Sequence, residues 1–299
     1  MQIETLKIFC DLVETQSFSQ AAERNFVTQS AVSQQIRGLE EKFRHKLLER
    51  VRGRREIRLT EAGAIFHRES RQVLMAYEGL QDALAALTGR VSGTVRVATV
   101  YSIGLHELPA VVRRYMSLYP EARIDLEYCR TPRVISQVMR GAVDLGVMAY
   151  PAKADGLKIV PLAGDRLVLI AAPTHPLAQR NSVAASDLDG LDFVSFETNI
   201  PTRRACDNIL KTFGVNVRRV AEFDNIETIK RAVEVGLGVS IVPRPSVRSE
   251  LRQGRLAVIA LDEPEWTREV GVVYRTDRIL SAAAHKLIEL LQERDKIAE

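Results

Sequence analysis

Cysteine is scarce in this chain of 299 residues, and Cys10, Cys129 and Cys206 are dispersed, odd in number and without CxxC spacing. That argues against a disulfide framework and a zinc site. A redox pairing of Cys129 with Cys206 lacks any neighbouring group that would activate either thiol. The histidines (His45, His67, His106, His175, His285) show no metal-ligand spacing, so no metal or cofactor is expected. No stretch approaches the ~18 apolar residues of a membrane span. No apolar N-terminal run follows basic residues, so a soluble, cytoplasmic protein without membrane partners is expected. Charge of one sign is not in large excess either: the formal net charge is +4, and an argument from charge must rest on where it sits. The length suggests two or three units, and 46% hydrophobic residues is ample for their cores.

What the chain does have is a dense local pattern between residues 17 and 60. Ser17-Phe18-Ser19-Gln20-Ala21-Ala22 reads as a short helix with small residues where a second helix approaches closely. A brief turn over 25–27 leads to Thr28, a good N-cap and the first of the expected DNA-contacting residues, and a longer helix follows. Ala31, Val32, Ile36 and Leu39 form its apolar side, while Gln29, Ser30, Ser33, Gln34 and Arg37 face outward. Short polar side chains at the exposed N-terminus of a second helix reach base edges without propping the helix out of a major groove. The next segment carries Arg44, Lys46, Arg50, Arg52, Arg54, Arg55 and Arg58 against only Glu49 and Glu56, and Gly53 permits a tight turn. Such a run is commonly just a solvated face. Its place beside a helix-turn-helix pattern predicts a wing that holds phosphates.

Residues 2–15 put Ile3, Leu6, Phe9, Leu12 and Val13 on one helical stripe. Thr60 should cap a further helix whose apolar residues run from Ala62 to Leu87. A helix that long with an apolar seam wants a partner helix, most simply its symmetry mate. From Gly93 onward strands and helices alternate, which argues for a mostly parallel sheet with helices on its faces. One helix is expected over 105–119, a strand from Arg166, and a capping box of Asp224 and Glu227 before a helix at Ile226. Two similar α/β lobes with a cleft between them are the economical arrangement.

With these residues in view, the chain resembles the LysR-type transcriptional regulators over its full length. The resemblance is carried by Ser17 to Ala22, by Gln29-Ser30-Ala31-Val32-Ser33-Gln34-Gln35-Ile36, by Leu39-Glu40, by Leu47 to Arg50 and by Leu59-Thr60-Glu61-Ala62-Gly63. Gly141 to Gly146, His175-Pro176-Leu177 and Gly236 to Pro243 follow in the family's order. The resemblance implies an α+β multidomain chain. Its parts would be a winged helix-turn-helix over 1–59, a dimerising linker helix over 60–89 and a two-lobed α/β effector domain over 90–299, similar to periplasmic solute-binding proteins. Lobe I would take about 90–162 and 267–299, and lobe II about 163–266. It also implies dimers pairing into tetramers on double-stranded promoter DNA, with a small-molecule effector altering that assembly. Gln29, Ser30, Ser33 and Gln34 match the family's base-reading positions, and Arg37, Arg52 and Arg54 its backbone or minor-groove contacts. Where the family commonly ends the recognition helix at glycine, this chain has Arg44. Either the turn differs or Arg44 serves a phosphate.

In open α/β sheets ligands bind at the carboxyl ends of strands. That rule points to Thr99, Tyr101 and Ser102, to Met148, and to Thr198, Asn199 and Thr202. Hydroxyls and an amide beside helix N-termini favour an anion. Arg203 would add positive charge; the equal alternative is that Arg203 and Arg204 face solvent or a lobe interface. Arg130 and Thr131 are weaker candidates. Gly236-Leu237-Gly238 follows a helix and precedes a strand, the reverse of a dinucleotide fingerprint. Ser102 and His106 lack an orienting carboxylate, so no catalytic residue is assigned. Two rivals remain: a constitutive or architectural DNA-binding repressor without a ligand, and a solute-binding module that only dimerises through its helices.

Overall fold

The computed structural model describes residues 2–50, 57–86 and 90–294. The chain divides into two compact units, Met1–Gly89 and Arg90–Glu299.

In the first unit α1 (Ile3–Thr15), α2 (Phe18–Arg24) and α3 (Gln29–Phe43) pack around Ile8, Phe9, Leu12, Ala21, Val32, Ile36 and Leu39. Each short helix begins where a local cap permits it. Ser17 Oγ accepts from the Gln20 N–H, and Thr28 Oγ1 accepts from that of Ala31. Such caps satisfy donors that a helix start otherwise leaves unpaired. Ala21 and Ala22 are buried, which lets α2 lie close to its neighbours. Strands β1 (Leu48–Arg50) and β2 (Ile57–Leu59) pair antiparallel, with Glu49 opposite Arg58. Arg52 and Arg54, expected at the tip of this hairpin, lie outside the described residues. Helix α4 (Glu61–Ala86) then runs 26 residues, about 39 Å at 1.5 Å each.

Arg44 keeps the left-handed cap that closes α3: its φ is 55°, and the next N–H, of His45, donates to Glu40 O at 3.2 Å. The turn is therefore unchanged despite the missing glycine. A Cβ in that conformation costs roughly 1 kcal/mol. Arg44→Gly is accordingly expected to raise stability by up to that amount, read as a higher midpoint in thermal unfolding; a lower midpoint would contradict the reading.

The second unit begins with β3 (Gly93–Thr99), α5 (Tyr101–His106), α6 (Leu108–Leu118), β4 (Ala122–Tyr128), α7 (Thr131–Met139) and β5 (Leu145–Ala149). The single helix expected over 105–119 is thus two. The break falls at Glu107, and Pro109 stands in the first turn of α6, where its missing N–H does no harm. Strand β6 (Leu157–Ala171) crosses from this lobe into the next. There follow β7 (Ser182–Val183), β8 (Asp192–Phe196), α8 (Pro201–Thr212), β9 (Arg218–Phe223), α9 (Ile226–Glu234), β10 (Ser240–Pro243), α10 (Arg248–Arg252) and β11 (Ala257–Leu261). Strand β12 (Thr267–Arg275) returns to the first lobe, and α11 (Ala282–Gln292) covers it.

Strands β4, β3 and β5 run parallel, as do β8 with β9 and β7 with β11, whereas β12 lies antiparallel to both β5 and β6, and β6 antiparallel to β10 and β11. The expectation of a mostly parallel sheet is corrected to a mixed one. The reason is β6: Leu157–Arg166 pairs with β12, and Leu167–Ala171 with β10 and β11. Pro161 and Gly164 disguise its first half as a loop in the sequence, although Pro161 lies opposite Gly271 within the ladder. A second correction concerns the cap of α9. Asn225, not Asp224, accepts from the Glu227 N–H, at 2.8 Å.

Candidate DNA-reading surface and effector cleft

Helix α3 splits cleanly into two faces. Val32, Ile36 and Leu39 are buried, whereas Gln29, Ser30, Gln34 and Arg37 are exposed and Ser33 is half-buried. The 3.6-residue period places these outward residues on one side, starting at the first turn. Thr28 is already committed as the cap, and its Oγ1 sits 2.9 Å from Ser30 Oγ. Gln29 Oε1 accepts from Ser19 Oγ at 3.3 Å, a contact that orients the amide from α2.

Glu40 joins this helix to the hairpin. Its Oε1 accepts from the N–H groups of Leu47 and Leu48 at 2.9 and 3.4 Å, and its Oε2 sits 2.6 Å from Lys46 Nζ. Burial pushes the carboxyl pKa up, but the Lys46 and backbone hydrogen bonds outweigh it and hold the group below the usual carboxylate range. The hairpin base is thereby tied to α3.

Sequence reasoning passed over Phe26. It stands in the turn before α3 with φ 54° and is 96% exposed. A bulky residue in the left-handed region, facing water, carries two costs at once. The signal was an aromatic residue inside a three-residue turn.

In the second unit a cavity of about 120 Å³ lies between the lobes, where Tyr101, Ser102, Thr131, Asn199, Thr202 and Asp224 contribute to its wall. Four of the expected ligand residues therefore meet: Tyr101, Ser102, Asn199 and Thr202. The helices α5, α7, α8 and α9 all begin at this cavity, with Tyr101, Thr131, Pro201 and Ile226. The N-caps of α7 and α8, Arg130 and Ile200, make no side-chain cap.

The other expected residues are placed elsewhere. Thr99 is fully buried and donates to Val147 O at 3.0 Å. Met148 is 1% exposed in the core beneath α7. Thr198 is exposed and off the wall, and its carbonyl accepts from Arg204. Arg203 is buried, and its guanidinium bonds to Asp207, to Phe196 O and to Glu222 at 2.6–2.8 Å. The expectation that Arg203 charges the cleft is thus corrected: one helical step of about 100° turns it away from Thr202.

The cation that does reach the cleft is Arg130, which bonds to Asp224 and lies 3.6 Å from Glu197. Both carboxylates belong to the other lobe, so Arg130 spans the opening. His106 Nε2 makes a second crossing, 2.8 Å from Glu227 Oε1. Burial, then the nearby Lys230, hold the His106 pKa below the usual imidazole range. At neutral pH the imidazole is therefore uncharged, and its Nε2–H donates to the Glu227 carboxylate. Ser102 Oγ accepts from Arg268 at 2.9 Å. Arg268 is fully buried among Asp165, Glu107 and Arg294, at the point where β6 and β12 cross between lobes.

The cysteines are buried, and burial pushes the Cys10 and Cys206 thiols up to about 12. Among the described residues no cluster suits a metal ion, and no helix is long and apolar enough to cross a membrane.

A winged helix-turn-helix followed by a two-lobed, cleft-bearing α/β unit defines a ligand-responsive regulator class. The family described as bacterial regulatory helix-turn-helix protein, lysR family, matches residues 3–64, and LysR substrate binding domain matches residues 88–296. The chain belongs to the LysR-type transcriptional regulators, a family of DNA-binding regulators with an effector-binding domain rather than of enzymes. It is 30% identical over 288 residues to "Probable RuBisCO transcriptional regulator" of Cyanidioschyzon merolae, covering 94% of each chain. Its fold is shared with full-length CbnR, solved with its target DNA, at a TM-score of 0.70 and 20% identity over 98% of this chain and 100% of that one. The effector binding domain of QuiR, solved with shikimate, gives a TM-score of 0.61 at 20% identity over 69% of this chain and 98% of that one.

Proposed function

We propose that this regulator reads promoter DNA with Gln29, Ser30, Ser33 and Gln34, and holds the backbone with Arg37 and the hairpin residues Arg52 and Arg54. Thr28 presents the helix end rather than reading bases. The observation that carries the reading is the single exposed polar face at the capped start of α3. Phe26 adds an apolar contact to sugar or thymine methyl, which gives a reason for its strained, exposed position. The test uses DNA selected by the full chain from a random pool, with fluorescence anisotropy as the readout. Asn accepts the left-handed conformation more readily than Phe. Phe26→Asn is therefore expected to stabilise the protein by about 1 kcal/mol while weakening DNA binding several-fold. Unchanged affinity in Phe26→Asn would remove Phe26 from the interface, and unchanged affinity in Gln29→Ala would remove the proposed base reading.

The effector we assign to the cleft is a small anion held by Ser102, Thr131, Asn199 and Thr202 and by the converging helix N-termini. Arg203 takes no part. A volume near 120 Å³ admits only a few heavy atoms, well below the roughly 300–1,000 Å³ of ordinary ligand pockets. A larger effector requires the lobes to part at Arg130–Asp224 and His106–Glu227. Either way the ligand must bind one lobe arrangement better than the other to change DNA binding. Ile65, Val73, Tyr77, Leu80 and Leu84 on α4 are exposed. They supply an apolar seam for the dimer, and pairing of dimers gives a tetramer.

A further inference from the structure

A second concavity lies outside the cleft and shares no lining residue with it. It measures about 860 Å³ and is bounded by β6, β11 and the turn into α10. Its lining is partly apolar, with Val168 and Val247 buried and Leu251 half-exposed. Its walls carry Arg166, Arg244, Arg248 and Arg252. Among the described residues the one acidic member of the lining is Asp165, and its carboxylate is already bound by Arg268 and Arg294. Arg166 donates to the carbonyls of Leu261 and Pro264, and Arg252 to that of Arg248. These bonds hold guanidinium groups in place without neutralising them. The whole chain has 42 basic and 38 acidic residues, so four arginines around one recess is a local concentration rather than a reflection of composition.

We propose that this groove is a second ligand site, for a small molecule carrying two or more negative charges on phosphate groups and a flat apolar body. Guanidinium forks match phosphate oxygens in pairs, which a strongly hydrated ammonium does not do. Gathering like charges around one recess is unfavourable, and a polyanion relieves that repulsion. The apolar part of the lining distinguishes such a ligand from a bare ion. The recess falls within the size range of small-molecule pockets.

The test is calorimetric titration of the full chain with ADP, with inorganic pyrophosphate and with a short DNA duplex of unrelated sequence. ADP is expected to bind saturably at one per chain, and more tightly than pyrophosphate. Arg244→Ser combined with Arg248→Ser should weaken ADP binding at least tenfold, with an unchanged melting temperature in the absence of ligand. Asn199→Ala, in the cleft, should leave ADP binding intact. The proposal is overturned by the absence of saturable binding at low salt, or by ADP affinity that the double variant does not change. It is also overturned if the double variant loses duplex binding but not ADP, which would make the groove a DNA contact. Loss of ADP binding in Asn199→Ala alone would place the nucleotide in the cleft and leave this groove without a ligand. Pyrophosphate binding as tightly as ADP would overturn the apolar contact.

Discussion

Arg268→Met is expected to cost about 3–5 kcal/mol, because it removes one partner of a buried ionic cluster and strands the rest. Arg268 is 0% exposed; its guanidinium bonds Asp165, Glu107 and Ser102, and Arg294 bonds the same two carboxylates. Methionine replaces much of the volume, so the loss reads the charge and not a cavity. The cluster sits where β6 and β12 pass between lobes, and Ser102 carries it to the cleft wall. The variant should therefore also weaken effector binding, beyond what instability alone causes. Denaturant unfolding monitored at Trp266, itself buried in the second lobe, measures the stability. A change below about 1 kcal/mol, the scale of a solvent-exposed ion pair, would contradict the account.

Gly63→Ala is expected to have the largest effect in the DNA-binding unit. A Cβ at Gly63 would lie 1.9 Å from Leu47 O, a backbone atom that cannot swing aside. That carbonyl also accepts from the Thr60 N–H, and Thr60 Oγ1 both donates to Lys46 O and caps α4 at Gly63. The segment leading into β1 and the first turn of α4 thus touch backbone to backbone. Overpacking of this kind costs about 1–3 kcal/mol, occasionally more. Because Glu40 ties Leu47 to α3, the displaced hairpin should also lower DNA affinity. Gly79→Ala is the control: nothing lies within 4 Å of its Cβ, and alanine in a helix interior is more stable by about 1 kcal/mol. Equal effects at Gly63 and Gly79 would contradict the close approach.

The DNA-binding unit was largely legible because its determinants are local. Ser17, Thr28 and Thr60 each cap a group three residues on, and the two faces of α3 repeat within one helix. The glycine of Leu59-Thr60-Glu61-Ala62-Gly63 needed the structure, since Leu47 is sixteen residues away. In the effector unit the strand-end rule pointed to Tyr101, Ser102, Asn199 and Thr202, which line one cavity. It failed at Thr99 and Met148, because a strand's last residues alternate between cleft and core. Arg203 failed for the helical counterpart of that reason. The cluster of Glu107, Asp165, Arg268 and Arg294 left no local signal: Arg268 and Asp165 are 103 residues apart. Strand β6 was hidden because Pro161 and Gly164 read as loop residues, yet both lie in a continuous strand.

Coupling between the cleft and DNA binding is tested by a footprint of the full chain on DNA it selects, repeated with a panel of small carboxylate and phosphate anions. Protection over several helical turns should shorten or shift with one small anion, and that response should be lost in Asn199→Ala. Protection that no anion alters would contradict the cleft as the effector site, and no protection at low salt would contradict the assignment of α3 to DNA.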